Sequence, residues 1–327
     1  MLVCSYARVV PARAGLVLQL ITHNSQLTTH RMEKETITTW FKELQDTICK
    51  AIQEADGGAE FKEELWNHQE LGGGRTRILQ HGNILAKAGV NFSGVGGNLS
   101  ENIIMALGLK ESEFYATGVS IVMHPVSPMV PIIHMNVRYF ETPEEYWFGG
   151  GIDLTPHYVV DKDAQFFHQT LKSVCDQTDS AYYPRFKTWA DDYFFNKHRD
   201  ETRGIGGIFF DRLNETREKK SKAELWQFVQ EIGSSFAGIY THFMKNNSSI
   251  PYTENHKLWQ NIRRGRYVEF NLVYDKGTKF GFDTAGRTES ILMSMPPHAQ
   301  WEYQFQPIEG SEEERTLALL KKGISWA

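Results

Sequence analysis

Three strand-like segments lie between residues 119 and 148, and the connections between them are too short for a crossover. Residues 119–123 are a continuous apolar run, residues 132–140 alternate between apolar and polar side chains, and residues 146–148 follow a short polar turn. Parallel neighbours in a sheet need a connection of about a dozen residues or more. The sequence therefore predicts that these segments pair as an antiparallel sheet.

Helical periodicity is found on both sides of these strands in the sequence. Apolar residues recur at three- and four-residue steps in residues 37–52, which end before Gly57, and again in residues 163–199 and 225–243. A last helix is predicted to start at the capping residue Ser311. Strands and helices that cluster apart along the chain indicate an α+β fold.

Three other segments carry less regular signals. Residues 71–99 are glycine-rich and are predicted to be irregular, whereas residues 204–213 are predicted to form a buried strand. Residues 267–282 are predicted to form a hairpin around Asp275-Lys276-Gly277. No linker or internal repeat divides residues 32–327, which we therefore predict to be a single domain.

The first 31 residues differ from the rest because they contain no acidic residue. They hold three arginines among several serines and threonines, a composition typical of mitochondrial presequences. The alternative is a disordered or untranslated leader before a start at Met32. We predict a leader over residues 1–31 and a folded domain over residues 32–327.

Composition argues against several classes of protein. The formal net charge of −5 does not favour a nucleic-acid surface, and no apolar run is long enough to span a bilayer. The cysteines at positions 4, 49 and 175 form no C-x-x-C pair, which excludes a thiolate zinc site and suits a reducing compartment. Dinucleotide, phosphate-loop, H-E-x-x-H and G-x-S-x-G motifs are absent. We expect a cytoplasmic protein, or a mitochondrial one if residues 1–31 are a presequence.

The polar side of the alternating strand is the sharpest chemical signal. Its side chains are His134, Asn136 and Arg138. A strand in a packed sheet does not place these groups on one side unless that side meets water or a polar ligand. Ser120 lies on the preceding strand and Asp153 follows glycines 149–151, which let a ligand approach the backbone closely. We interpret this side as a ligand site, with a solvated outer face as the alternative.

Arginines beside glycines give the second signal. Arg203 precedes a glycine-rich turn, and Arg287 follows Ala285-Gly286. A guanidinium suits bidentate capture of carboxylates. Several such arginines in an acidic chain indicate a substrate with several carboxylates. The arginine run in residues 263–266 is instead predicted to be a solvated helix end.

Four histidines could form a metal site if the fold brings them together. They are His124, His134, His168 and His198. Their spacings match no known ligand motif. The alternative is that His124 caps a turn and that His168 and His198 lie on helix surfaces.

Five longer strings make the chain recognisable. They are GVNFS (89–93), HMNVRYF (134–140), WFGGGIDLTP (147–156), RGIGGIFFD (203–211) and GRTESILMSMPP (286–297). With them, in order and without large gaps, the chain from about Met32 to its end resembles the oxygen-dependent coproporphyrinogen III oxidase family. Several long strings together are far more specific than one short motif.

The resemblance implies an activity and a fold. The family uses O₂ to decarboxylate two propionates of coproporphyrinogen III to vinyl groups, giving protoporphyrinogen IX for haem synthesis and releasing CO₂ and H₂O₂. Its fold is a large, flat antiparallel sheet with helices on both faces. The resemblance also implies a homodimer formed through about residues 267–302. It implies O₂ as co-substrate and no required cofactor, with a divalent metal as the open alternative.

The resemblance also assigns site residues by their position in the strings. His134 matches the proposed proton donor, Asp153 the aspartate thought to hold the pyrrole N–H groups, and Arg138 completes the catalytic set. The implied substrate contacts are Ser120, Asn136, Val137, Arg138, Arg203, Ala285, Gly286 and Arg287. Proposed metal ligands of bacterial members match His124, His134, His168 and His198. The chain departs from the family pattern at Ala285, where glycine is usual, and at Thr202, where animal members have a second arginine.

Two rival functions use the same residues. A non-catalytic tetrapyrrole carrier would need the same arginines and aromatic walls, and a metal-dependent oxygenase would be built on the four histidines. Turnover in air separates the first rival from the oxidase, and activity after exhaustive chelation separates the second.

Overall fold

The computed structural model describes residues 13–68, 71–283 and 287–327. The strands are β1 Lys62–Asn67, β2 Leu71–Gln80, β3 Leu85–Asn98, β4 Glu113–Pro125, β5 Ile132–Glu141, β6 Tyr146–Thr155, β7 Phe195–Asn196, β8 Glu201–Thr202 and β9 Gly207–Leu213. The helices are α1 Arg13–Asp56, α2 Glu101–Leu107, α3 Asp161–Thr178, α4 Tyr182–Tyr193, α5 Glu215–Glu218, α6 Lys222–Asn247, α7 Glu254–Val273, α8 Lys276–Asp283, α9 Thr288–Leu292 and α10 Glu312–Leu319.

The molecule divides into two units, residues 1–40 and residues 41–327. Of the elements named above, the first unit holds only the beginning of α1, and all the others lie in the second. The predicted division into residues 1–31 and 32–327 stays a prediction. None of the described helices is long and apolar enough to cross a membrane.

Seven strands form one sheet in the order β1-β2-β3-β4-β5-β6-β9, and each neighbouring pair is antiparallel. This confirms the α+β fold and the antiparallel sheet predicted from the short connections. The prediction that residues 71–99 are irregular is wrong, because these residues contain the whole of β2 and β3. Their glycines serve close packing: a Cβ on Gly74 would lie 2.0 Å from the indole of Trp66 on β1.

The two faces of the sheet carry different residues. On β5, Ile133, Met135, Val137 and Tyr139 are buried, whereas His134, Asn136 and Arg138 are only partly buried. α6 covers the apolar face, where Trp226 stacks on Phe148 with ring centroids 5.6 Å apart. The opposite face is covered at one end by α7, whose Tyr267 packs with Val122 and Ile132. Helices therefore lie on both faces, as predicted.

The predicted hairpin in residues 267–282 is wrong, because α7 runs to Val273 and α8 follows it. α7 begins after Thr253, whose capping box with His256 is formed. Its buried Trp259, Ile262 and Phe270 follow helical spacing.

The arginine run of α7 is buried, so the prediction of a solvated helix end is also wrong. Arg263 pairs with Glu201 at 2.8 Å, and Arg266 pairs with Glu269 at 3.0 Å. Arg264 donates to the Pro125 carbonyl at 2.6 Å. Glu201 and the Pro125 carbonyl come from distant parts of the chain, whereas Glu269 lies one turn further along α7, and these acceptors offset the cost of burying the charges.

The other predicted helices are confirmed. α1 ends at Asp56, immediately before Gly57, and the Asp56 carboxylate accepts backbone N–H bonds from Ile84 in the β2–β3 connection and from Leu85 at the start of β3. α3, α4 and α6 occupy the predicted segments, and Ser311 caps α10. The buried strand predicted in residues 204–213 is β9.

Candidate active site

The strand register places the predicted polar side chains on one face of the sheet. His134 is paired with Val122 and Asp153, Asn136 with Ser120 and Gly151, and Arg138 with Gly118 and Gly149. Directly paired residues of antiparallel strands point to the same face. We call this side of β1–β6, which carries Ser120, His134, Asn136, Arg138 and Asp153, the polar face. Val137 points the other way and its side chain is fully buried, so only its main chain borders the polar face.

His134 and Asp153 form a hydrogen-bonded pair across β5 and β6. The His134 Nδ1 atom lies 2.9 Å from Asp153 Oδ1. The imidazole is 22% exposed, but the carboxylate is only 1% exposed. Because the ionised carboxylate only accepts, Nδ1 carries the proton and Nε2 remains available to other groups.

The Arg203 guanidinium hydrogen-bonds to both oxygens of the Asp153 carboxylate. Its Nη2 donates to both carboxylate oxygens at 2.7 and 2.8 Å, and its Nη1 donates to Asn271 Oδ1 at 2.7 Å. Burial alone would raise the pKa of Asp153, but the charge of Arg203 and the hydrogen bonds from His134 and Arg203 hold it below its ordinary value. The carboxylate therefore stays ionised although it is buried.

Arg203 does not face the open part of the polar face, where it was predicted to bind substrate. Its side chain is 2% exposed. The guanidinium lies 4.5, 4.7 and 4.8 Å from the ring centroids of Phe194, Tyr267 and Phe270. The rings and Asp153 enclose the cation, so in this structure Arg203 acts on the site through Asp153.

Arg138 is the more open arginine, with 35% of its side chain exposed. It donates to Asn136 Oδ1 at 2.7 Å and to Asp211 Oδ1 at 2.9 Å. Gly149 makes this possible, because a Cβ there would lie 2.5 Å from Asp211 and 2.8 Å from the guanidinium. Arg138 is thus oriented along the polar face by one amide and one carboxylate.

Arg287 lies over the β1 end of the same face. Its Nη2 pairs with Glu64, and its Nη1 is buried with no hydrogen-bond partner among the described residues. Glu64 shares a register row with Thr76, Asn91, Ser120 and Asn136. At about 4.8 Å per spacing, the four strand-to-strand spacings from β1 to β5 put Glu64 roughly 19 Å from Asn136. Ala285 and Gly286, the other predicted contacts here, lie outside the described residues.

Comparison with known proteins identifies the family. The family profile described as Coproporphyrinogen III oxidase matches residues 36–326. The chain belongs to the oxygen-dependent coproporphyrinogen III oxidase family. This confirms the predicted enzyme class, a coproporphyrinogen III oxidase of haem biosynthesis.

Individual members of the family align over most of this chain. It is 46% identical over 295 residues to coproporphyrinogen-III oxidase 1, chloroplastic, of Arabidopsis thaliana, covering 85% of this chain and 75% of the relative. It is 46% identical over 312 residues to the oxygen-dependent oxidase of Drosophila melanogaster, with 91% and 78% covered. It is 48% identical over 299 residues to the mitochondrial oxidase of Homo sapiens, with 87% and 65% covered.

The four histidines of this oxidase each have a separate environment. His124 is buried in β4 with Nε2 2.8 Å from the Ser294 carbonyl, and His168 is buried in α3 with Nε2 3.0 Å from the Ile205 carbonyl. His198 is partly exposed, and its Nε2 lies 2.7 Å from Glu269. Among the described residues, no three His, Cys, Asp or Glu side chains are placed to share a metal ion.

The alternative interpretation of these histidines is also partly wrong. His124 is a strand residue rather than a turn cap, and His168 lies in the core rather than on a helix surface. His198 is exposed, but it lies in the turn between β7 and β8 rather than on a helix. Burial lowers the pKa of His124 well below its ordinary value and lowers that of His168 to about 3. Both rings are therefore neutral in the folded oxidase.

The sequence analysis did not identify several residues of the site. Asp211, which orients Arg138, closes the string of residues 203–211 but carries no local signal of its own. Asn271 and the rings around Arg203 come from α7 and from the end of α4, far from the polar strands in sequence. No local pattern in the sequence links these residues to Arg203 or Asp153.

Proposed function

We propose that the polar face binds coproporphyrinogen III and that His134 is its proton-transfer residue. The observation that carries this proposal is the His134–Asp153–Arg203 arrangement. A half-open imidazole is hydrogen-bonded to a buried carboxylate, which a buried guanidinium keeps ionised. Such a carboxylate fixes the tautomer of the ring and stabilises the imidazolium when it forms.

Substrate recognition is assigned to the more open groups of the same face. Arg138 is 35% exposed and Arg287 is 27% exposed. A partly open guanidinium suits bidentate capture of a propionate carboxylate. Ser120 and Asn136 lie in the row between these arginines and supply neutral polar contacts. The arrangement suits a flat ligand that carries carboxylates on opposite sides.

Asp153 and Arg203 receive roles that differ from those implied by the resemblance. The Asp153 oxygens already accept from His134 and Arg203, and the carboxylate is 1% exposed. We therefore propose that Asp153 orients His134 rather than binding pyrrole N–H groups directly. Arg203 likewise positions Asp153 rather than clamping a propionate.

The proposed reaction needs one proton for each propionate. The C–H bond next to the ring breaks, and its hydrogen and electron pair reduce O₂. The bond to the carboxylate also breaks, releasing CO₂, and its electron pair forms the vinyl double bond. Reduced oxygen takes one further proton to become H₂O₂. We propose that His134 supplies this proton and regains it from solvent.

We propose that O₂ is the sole oxidant and that no cofactor is required. A divalent metal bound by His124, His134, His168 and His198 stays the alternative. Of these, His124 and His134 lie on the polar face, where His124 is buried against Tyr267 of α7 and His134 is partly exposed. We further propose a homodimer formed through about residues 267–302. A cytoplasmic location is proposed from the cysteine content, with mitochondria as the alternative if residues 1–31 are a presequence. N-terminal sequencing of the native protein tests that location.

The experiment that tests the function is aerobic turnover of coproporphyrinogen III, with products identified by mass spectrometry and H₂O₂ measured in parallel. We expect loss of two CO₂ per molecule, one H₂O₂ for each vinyl group and no product under argon. Binding without vinyl product would make the chain a tetrapyrrole carrier. Activity that disappears on exhaustive chelation and returns with a divalent metal would favour the metal-dependent alternative.

A further inference from the structure

We propose that the C-terminal tail, residues 320–327, positions the His134–Asp153 pair by holding the segment that carries Arg203. The proposal rests on the proposed role of His134. The tail touches neither His134 nor Asp153, so its residues are positioning residues. It adds to the site a part of the chain more than 100 residues away in sequence.

The segment of residues 202–206 lies against β6 beside Asp153. The Arg203 N–H donates to the Phe194 carbonyl at 2.8 Å, and the Ile205 N–H donates to the Leu154 carbonyl at 3.0 Å. A Cβ on Gly204 would lie 2.2 Å from the Leu154 carbonyl. The main chain on this side is thus packed closely against the strand that holds Asp153. The position of residues 202–206 then depends on the contacts that this segment makes on the side away from β6.

Two hydrogen bonds support that other side, one before and one after Arg203. The Thr202 N–H donates to the Leu320 carbonyl of the tail at 2.9 Å. The Ile205 carbonyl accepts from His168 Nε2 at 3.0 Å, so His168 Nδ1 accepts from the Tyr183 hydroxyl, also at 3.0 Å. His168 is therefore a fixed donor, and its ring orientation determines where the Ile205 carbonyl lies.

The tail also covers His168. Trp326 is 9% exposed and lies nearly parallel to the His168 ring, at 21° with centroids 6.5 Å apart. Between its two contacts the tail is fastened by the Gly323 N–H to Asp191 at 2.9 Å and by Lys322 to Asp192 at 2.8 Å. The tail thus supports the Arg203 segment directly through Leu320 and indirectly through Trp326 and His168.

Loss of this support has a specific expected consequence. Arg203 is the group that fixes both Asp153 oxygens, and Asp153 fixes His134. Small displacements of catalytic groups cost more in turnover than in substrate binding. A tail that only stabilised the fold would lower the melting temperature and leave kcat of the folded enzyme unchanged.

The test uses Trp326→Ala and the conservative Trp326→Phe in the full-length enzyme, below their melting temperatures. Tyr303→Ala is the matched control, because Tyr303 is an aromatic residue near the C-terminus that is 92% exposed. We expect Trp326→Ala to lower kcat by about tenfold with little change in KM, and Trp326→Phe to restore most of it. Tyr303→Ala should behave as wild type.

A double-variant cycle shows whether the effect passes through Arg203. In an Arg203→Lys background, Trp326→Ala should lower kcat no further. The proposal would be overturned if the kcat of the double variant fell by the product of the two single-variant losses. It would also be overturned if the kcat of Trp326→Ala alone stayed within twofold of wild type. The low-field N–H resonance of His134, assigned by its loss in His134→Gln, should shift in Trp326→Ala. If that resonance shifts but His134→Gln keeps full activity, the proposed role of His134 fails while the positioning by the tail stands.

Discussion

The two ends of the polar face each carry an ion pair, and the two pairs differ in their exposure to solvent. At the β5–β6 end, Asp153 and Arg203 are 1% and 2% exposed and are hydrogen-bonded to each other, beneath the rings of α7. At the β1 end, Arg287 and Glu64 are 27% and 61% exposed. One pair is sealed from water and the other is open to it.

The difference separates two tasks that one ligand site must perform. A buried pair cannot rearrange cheaply, because removing either partner leaves an uncompensated charge in a medium of low polarity. An exposed pair contributes little to stability, because water replaces either partner. We infer that the buried end fixes the geometry of proton transfer and that the open end adjusts to the carboxylates of the substrate.

Asp153→Asn should give the largest effect, because it leaves the buried Arg203 without its counter-charge. We expect the free energy of unfolding, measured in urea, to fall by about 3–5 kcal/mol. Turnover of the remaining folded enzyme should fall by about 10²-fold or more. Asp211→Asn is the control at a partly exposed ion pair and should cost about 1 kcal/mol or less. Equal losses of unfolding free energy in Asp153→Asn and Asp211→Asn would contradict the distinction between buried and open charges.

His134→Gln should lower activity strongly and stability weakly. The amide N–H of glutamine can still donate to Asp153, but it cannot carry a proton to reduced oxygen. We expect kcat to fall by about 10²-fold with the free energy of unfolding changed by less than about 1 kcal/mol. Measuring kcat from pH 5 to 9 checks the assignment, because the variant should lose any pH dependence that arises from this imidazole. An unchanged profile would remove His134 from the proton step.

The gathering of polar groups on one face could be predicted because a strand has a period of two. Alternation in residues 132–140 placed His134, Asn136 and Arg138 together, and the short connections made their neighbours antiparallel. Both inferences use only residues close in sequence. The enclosure of Arg203 could not be predicted in this way, since its rings and Asn271 come from α4 and α7 through long-range packing.

The dependence on long-range packing also explains why the predictions for α7 are wrong. Residues 263–266 were predicted to be a solvated helix end, and the residues from 267 onward were predicted to be part of a hairpin. Residues 267–274 mix aromatic, charged and branched side chains that fit either period over so short a window. The acceptors for Arg263 and Arg264 are Glu201 and the Pro125 carbonyl, which no local pattern connects to them. The charges of Arg263 and Arg264 led to a prediction that both side chains are exposed. Both are buried because their hydrogen-bond acceptors come from distant parts of the chain.

His157→Asn should show that acid destabilises the fold through a buried histidine. His157 is fully buried two residues beyond the end of β6. Burial and the nearby Arg264 lower the pKa of His157 well below its ordinary 6.5. Below about pH 6.5 the unfolded chain therefore binds a proton that the folded chain does not, so stability is full above that pH and is lost as pH falls. Asparagine can keep the donor to the Pro128 carbonyl without titrating.

Urea unfolding at pH 7.5, 6.5 and 5.5 measures this effect. The wild type should lose up to about 1.4 kcal/mol per pH unit more than the variant below pH 6.5. Parallel curves for the two proteins would show that His157 is not held neutral in the folded protein.

Glu64→Gln should give the smallest effect on stability and a distinct effect on binding. The Arg287–Glu64 pair is exposed, so the free energy of unfolding should change by less than about 1 kcal/mol. Because Glu64 competes with a substrate carboxylate for Arg287, its removal should lower KM by about threefold at low ionic strength, and salt should reduce the difference. Arg287→Gln should raise KM with kcat nearly unchanged. If Glu64→Gln instead lowered kcat as strongly as His134→Gln, the open end would share in proton transfer and the two ends would form one unit.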